Sequence, residues 1–161
     1  MGPHDVRRAI AGVAEASVQP LPHRYHVTAS ADSDGEVSLV APGLPPLRSA
    51  PPSEFGGPGD LWSPETLLLA AVVDCFVLTF RAVARASSIP WRELRCDADG
   101  TLDRVERVTR FTAIELRAEL VVPPEVPVDR AERALQRAER GCLVSNSLVF
   151  RPILAATVRA G

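Results

Sequence analysis

The chain has 161 residues, a formal charge of −2 and a pI near 5.9, which suits a single domain with room for a core and gives no basic footprint for nucleic acid. All 18 basic residues are arginines, so a Schiff-base lysine, a pyridoxal enzyme and a lysine-bearing phosphate loop are excluded. Three cysteines at long spacings, Cys75, Cys96 and Cys142, make neither a secreted disulfide framework nor a zinc knuckle.

Residues 1–21 read as an N-terminal segment, with 5–17 a short amphipathic helix or an ordered arm, and 22–161 as the domain proper. Arg7 and Arg8 precede an apolar run that Glu15 interrupts too early for a signal peptide, so a cytoplasmic protein with reduced thiols is expected. The three histidines, His4, His23 and His26, lie ahead of any core helix, and a Ser-His-Asp arrangement could draw only on them. Tyr25, Val27 and Ala29 alternate with polar residues, Asp34-Gly35 is a turn signal, and Glu36 to Val40 returns as a second strand. From Pro42 to Asp60, ten of nineteen residues are Pro or Gly, which predicts a long irregular loop. It feeds directly into a helix start, so it is read as site-forming.

That helix organises the chain. Ser63 is an N-cap, Pro64 fits the first helical position, and Glu65 meets the positive end of the helix dipole. From Leu67 to Phe80 the residues are apolar almost all round, apart from Asp74 and Thr79, so the helix is expected to be buried on nearly every side. The run is shorter than a membrane span needs and carries Asp74 in its middle. No membrane association is expected. Beyond Pro90, Leu94 to Leu102 alternates as a half-buried strand, and Ile114 to Val122 as its antiparallel partner. Asp129 to Arg140 is a helix with Gly141 as its C-terminal residue. Cys142 to Ser147 begins a further helical turn, and Ile153 to Val158 is a last strand.

Cys75, inside the apolar helix, has a bland reading as a small hydrophobe. Cys96 has the same reading, on the inward face of a strand. Two patterns point further: Pro64-Glu65 followed ten residues after the Glu by Cys75-Phe76, and a distant Cys142-x-Val144-Ser145-Asn146. Together with the element order over residues 23 to 158, they resemble the OsmC/Ohr family, the osmotically inducible protein C and organic hydroperoxide resistance proteins. The resemblance implies an α+β fold with antiparallel sheets wrapped around buried central helices in an intertwined homodimer. It also implies a thiol-dependent peroxidase for alkyl or lipid hydroperoxides, with Cys75 peroxidatic and Cys142 resolving. No bound cofactor is needed, only an external dithiol such as a lipoyl group or a small thiol.

Helix geometry sharpens one point. Ten residues separate Glu65 from Cys75 by roughly 15 Å of rise and put them on different faces, so they do not meet within one subunit. Two such helices crossing antiparallel about a twofold axis would bring Glu65 of one chain near Cys75 of the other. The bland reading of Glu65 is complementation of the helix dipole. The arginine that pairs with this glutamate in the family has two usual places, and here Ser33 and the Glu54 of Glu54-Phe55 occupy them. Arg48 in the same loop is the substitute candidate, with Arg24 behind it; a solvated loop charge is the other reading of Arg48. Leu143 replaces the family's proline after the second cysteine. Asp74 beside Cys75 would raise the thiol pKa unless it points away, and a buried Asp there would need a donor. The competing function is a dimer of the same fold that binds an apolar small molecule or senses oxidants slowly.

Overall fold

In the computed structural model, residues 18–161 are described; the helix expected over 5–17 lies outside them. Residues 18–27 run without regular structure into a small antiparallel sheet of three short strands, β1 (Thr28–Ser30), β2 (Val37–Val40) and β3 (Leu47–Ser49), in the order β1-β2-β3. The hairpin around Asp34-Gly35 is as expected, with Gly35 at φ 92°. The loop read as irregular from Pro42 to Asp60 holds both β3 and a single 3-10 turn at Ser53–Phe55. Prolines at 45 and 46 and a length of three residues hide this strand from pattern reading. A parallel bridge from Ser49 to Trp62, with Ala50 N–H donating to Trp62 C=O at 2.9 Å, fastens the small sheet to the start of the first long helix.

That helix, α1, spans Pro64–Ala86. Its first turn is closed by a reciprocal capping box: Thr66 N–H donates to Ser63 Oγ at 3.2 Å, and Ser63 N–H to Thr66 Oγ1 at 2.9 Å. One stripe at i, i+4 spacing, Val72, Phe76, Phe80 and Ala84, is completely buried. The expectation of burial on nearly every side is corrected here, because in the single chain Leu78 is half exposed and Ala71 and Asp74 are open to solvent. The helix is also as long and apolar as a membrane span, contrary to the shorter run expected, yet its buried stripe belongs to the core of the domain. At its C-terminal end an arginine from the second helix, Arg130, donates to Ser87 C=O at 2.6 Å, which satisfies carbonyl oxygens that helices leave free.

The core closes over a second sheet. β4 (Glu93–Val105) and β5 (Val108–Val122) form a long antiparallel hairpin with Cys96 opposite Ala118. Glu106 and Arg107, both at positive φ, make its two-residue turn. Along β5, Ile114, Leu116, Ala118, Leu120 and Val122 point inward and are buried, while Glu115, Arg117 and Glu119 face solvent. α2 (Val128–Gly141) then crosses back over the sheet with Ala131, Ala134, Leu135 and Ala138 buried. It leads to β6 (Ile153–Ala160), which runs parallel to β5. The larger sheet is therefore mixed rather than wholly antiparallel, because the connection is a helical crossover rather than a hairpin. Trp91 stacks edge-on against Phe80, with ring centroids 5.5 Å apart, and locks α1 to the head of β4.

Candidate active site at the α1–α2 contact

Cys75 lies at the middle of α1, and its side chain is half-buried. Thr79, one turn later, donates its hydroxyl to Cys75 C=O at 2.7 Å and leaves Oγ1 3.9 Å from Cys75 Sγ. Opposite Thr79 stands Gly141, the last residue of α2, where a Cβ would lie 3.4 Å from Thr79 Cγ2. Gly141 keeps right-handed helical geometry, so it serves close helix approach rather than a left-handed cap. This approach carries the next residue, Cys142, into the core with no exposed surface.

The chain places the two thiols side by side. Burial pushes the Cys142 thiol pKa up, the Ser145 hydroxyl and N–H pull it down, and the adjacent Cys75 thiol pushes it up again. The direction is upward. Backbone donors at the start of a helical turn would favour a thiolate at Cys142. Such a donor is present in the Ser145 N–H, but desolvation outweighs it. Ser145 is 3% exposed and its Oγ has no hydrogen bond of ordinary geometry, which leaves the Cys142 sulfur as its soft neighbour.

Asp74 is exposed on the side of α1 away from this contact, so the donor expected for a buried aspartate is not required. Adjacent helix positions are about 100° apart, and that rotation separates it from Cys75. Cys96 is fixed on β4, with its thiol pKa pushed up to about 11 by burial first and by Asp97 second. It is an inert core thiol.

Glu65 lies in the first turn of α1, away from the cysteines of its own chain. Its Oε2 is buried with no hydrogen-bond partner among the described residues. It borders a cavity of about 280 Å³ whose walls include Phe55, Leu69, Gly100, Leu102 and Phe111. Gly100 is what keeps this wall closed-packed: a Cβ there would stand 2.8 Å from Leu69 Cδ2 and 2.7 Å from Phe111 Cε1. A carboxylate oxygen in apolar surroundings without a donor is costly, so this corner is incomplete in the isolated chain. Arg48 does not complete it here. Its guanidinium is taken by Glu36, just ahead of the neighbouring strand β2, through Nη2 to Oε1 at 2.7 Å and a second contact from Nε. Arg24, Ser33 and Glu54 are exposed.

The structure thus brings Cys75 into the neighbourhood of Cys142 and holds Glu65 and Arg48 elsewhere in the same chain. Sequence reasoning missed Thr79, although its i+4 spacing from Cys75 on a helix was available. It also missed the contacts of Gly100 and Gly141, which only packing reveals.

The family model described as OsmC-like protein matches residues 57–155. Over 100 residues the chain is 25% identical to YmaD, an uncharacterised protein of Bacillus subtilis, covering 60% of this chain and 67% of that protein. An OsmC-like protein of unknown function from Vibrio cholerae superposes with a TM-score of 0.77 at 15% identity, over 84% of this chain and all of that one. An organic hydroperoxide resistance protein from Elizabethkingia anophelis superposes with a TM-score of 0.69 at 22% identity, over 88% of this chain and 100% of that one. One from Legionella pneumophila gives 0.66 at 22%, over 86% and 98%. At such identities these structures share the fold.

Proposed function

The chain belongs to the OsmC-like protein family, and on that premise we propose that it reduces organic hydroperoxides with its own paired thiols. The observation that supports this reading is the close approach of α1 and α2 at Thr79 and Gly141, which sets the buried Cys142 near enough to Cys75 to feel its thiol. The Cys75 thiolate attacks the terminal peroxide oxygen; the O–O bond breaks, and the alkoxide takes a proton and leaves as an alcohol. Cys75 is left as a sulfenic acid. The Cys142 thiol then gives up its proton and attacks the Cys75 sulfur, forming a disulfide and releasing water. An external dithiol, of the lipoyl or small-thiol class, supplies the two electrons that restore both thiols.

The apolar cavity beside Glu65 suits an alkyl or lipid chain better than hydrogen peroxide. Its unpartnered carboxylate oxygen and the open face of α1 at Leu78 support a homodimer in which Glu65 of one chain faces Cys75 of the other. Arg48 is the cation this reading assigns to the site, released from Glu36 or shared with it. A cytoplasmic location goes with free thiols.

The second reading, an apolar-ligand binder or slow oxidant sensor, draws on the engagement of Arg48 by Glu36. Turnover separates the two. With cumene hydroperoxide and a dihydrolipoyl reductant, the wild-type chain is expected to turn over, Cys75→Ser to lose all activity, and Cys142→Ser to stop at a trappable sulfenic acid. Thiol loss only over hours in the wild type would leave the binder or sensor.

A further inference from the structure

The segment between α2 and β6 carries Cys142 and is closed by one charged contact. Glu139, on the last turn of α2, is a buried residue whose side chain is 11% exposed. Its Oε1 accepts from Arg151 Nη1 at 2.9 Å, across twelve residues of chain. The first half of the segment between these two residues is held by local hydrogen bonds. Cys142 N–H donates to Glu139 C=O at 3.2 Å, and Asn146 N–H to Cys142 C=O at 2.9 Å. Ser147 Oγ donates to Leu143 C=O at 2.9 Å, and Asn146 Nδ2 to Arg140 C=O at 3.3 Å. Arg151 Nη2 also reaches Asn146 Oδ1, at 3.5 Å. A lone carboxylate at so buried a place would be costly, and the guanidinium is what makes it tolerable. The pair therefore has a reason to stay shut.

We propose that the Glu139–Arg151 ion pair is a positioning clamp for Cys142, holding its loop so that the sulfur faces Cys75 when the sulfenic acid forms. This deepens the thiol-peroxidase reading and rests on it. Disulfide formation needs the two Cα atoms within about 4.4–6.8 Å and the Cβ vectors converging. The α1–α2 packing fixes Cys75. Cys142 lies just past the end of α2, where the Gly141–Thr79 approach brings it inward and the loop's own bonds set how it is turned. Glu139 and Arg151 touch neither substrate nor sulfur; they act through the loop. The clamp shortens the lifetime of the sulfenic acid, and so limits its further oxidation to sulfinic acid by a second peroxide.

The test follows two steps separately in the full-length protein. Cumene hydroperoxide is mixed with wild type, with the double variant Glu139→Gln/Arg151→Met, which leaves no buried charge, and with Arg151→Lys. Sulfenic acid formation is expected at the wild-type rate in all three. Disulfide formation is expected to slow about 10- to 100-fold in the double variant, as for a reacting group displaced by about an ångström. Sulfinic acid at Cys75 should rise accordingly, and Arg151→Lys should recover most of the rate. A double variant that closes its disulfide at the wild-type rate overturns the clamp. If the double variant does not fold, Asn146→Ala loosens the same loop without a buried charge and is expected to slow closure severalfold; an unchanged rate there overturns it equally. Diamide, which drives disulfide formation without a peroxide, gives an independent arm. A wild type inert to cumene hydroperoxide but closed quickly by diamide would sink the peroxidase reading alone, whereas equal diamide rates in wild type and double variant would sink the clamp alone.

Discussion

The two sheets of this chain differ in how well each is served by its own surroundings. The larger one, β4-β5-β6, has α1 and α2 packed on one face, and its inward residues on β5 are at or near zero exposure. The smaller one, β1-β2-β3, buries only Ser49 at the end of β3, with Ala50 just beyond it, and the segments around it expose Tyr25, Val27, Val40 and Leu44. Three short strands with no helix over them among the described residues cannot supply a core of their own. The first region has a closed core, while the second, with the open face of α1, leaves apolar side chains exposed among the described residues. The cysteine pair belongs to the finished region, and Glu65 stands at the border with the unfinished one. That division explains why the thiol pair is assembled within one chain while the glutamate corner is not.

The comparison can be broken in four ways. The largest effect is expected in the finished half: Phe76→Ala, at a fully buried stripe position, should cost about 3–5 kcal/mol in chemical denaturation. A loss below about 1 kcal/mol would mean that α1 is not anchored there. Next, Leu78→Arg tests the uncovered face. If a second copy covers it, a charge buried there should raise the dimer dissociation constant about 100-fold, close to 2.8 kcal/mol, as read by sedimentation; unchanged association would leave that face free. Third, Gly100→Ala should destabilise by about 1–3 kcal/mol, because Leu69 and Phe111 must give way to the new methyl. It should also reshape the cavity beside Glu65, which a change in KM for bulky hydroperoxides would report.

The smallest effect is a pH dependence. The folded chain holds the Cys96 thiol proton more tightly than the unfolded chain, with its pKa pushed from an ordinary 9.0 to about 11. The unfolded state therefore releases its proton first as pH rises. The stability from keeping this thiol neutral is complete below about pH 9 and is lost as pH rises through about 11. Cys96→Ala should flatten part of the fall in urea midpoint over that window, the buried Cys142 supplying the rest. Parallel curves for the two proteins would contradict the inert-core assignment.

Much of the finished region was legible in the sequence, because period-2 alternation on β4 and β5 and the Ser63-Pro64 start of α1 are local signals. The two cysteines were readable as a pair only through the patterns around them; nothing in their spacing of 67 positions says they meet. The parallel direction of β6 was not legible, since strand direction depends on the path of α2 rather than on any residue in β6. β3 was hidden by its prolines. The orientation of Asp74 followed from helix rotation once the buried stripe was known, and that stripe could not be singled out in a helix apolar on every side. The engagement of Arg48 by Glu36 depends on the register between β2 and β3, which a loop reading of the segment could not supply.

The most direct measurement is a peptide map of the protein after a single equivalent of cumene hydroperoxide, with unreacted thiols blocked at once. The account expects one new bond, joining Cys75 to Cys142 within a chain, and Cys96 recovered as a free thiol. Recovery of all three thiols intact, or a bond that leaves Cys142 free, would contradict it.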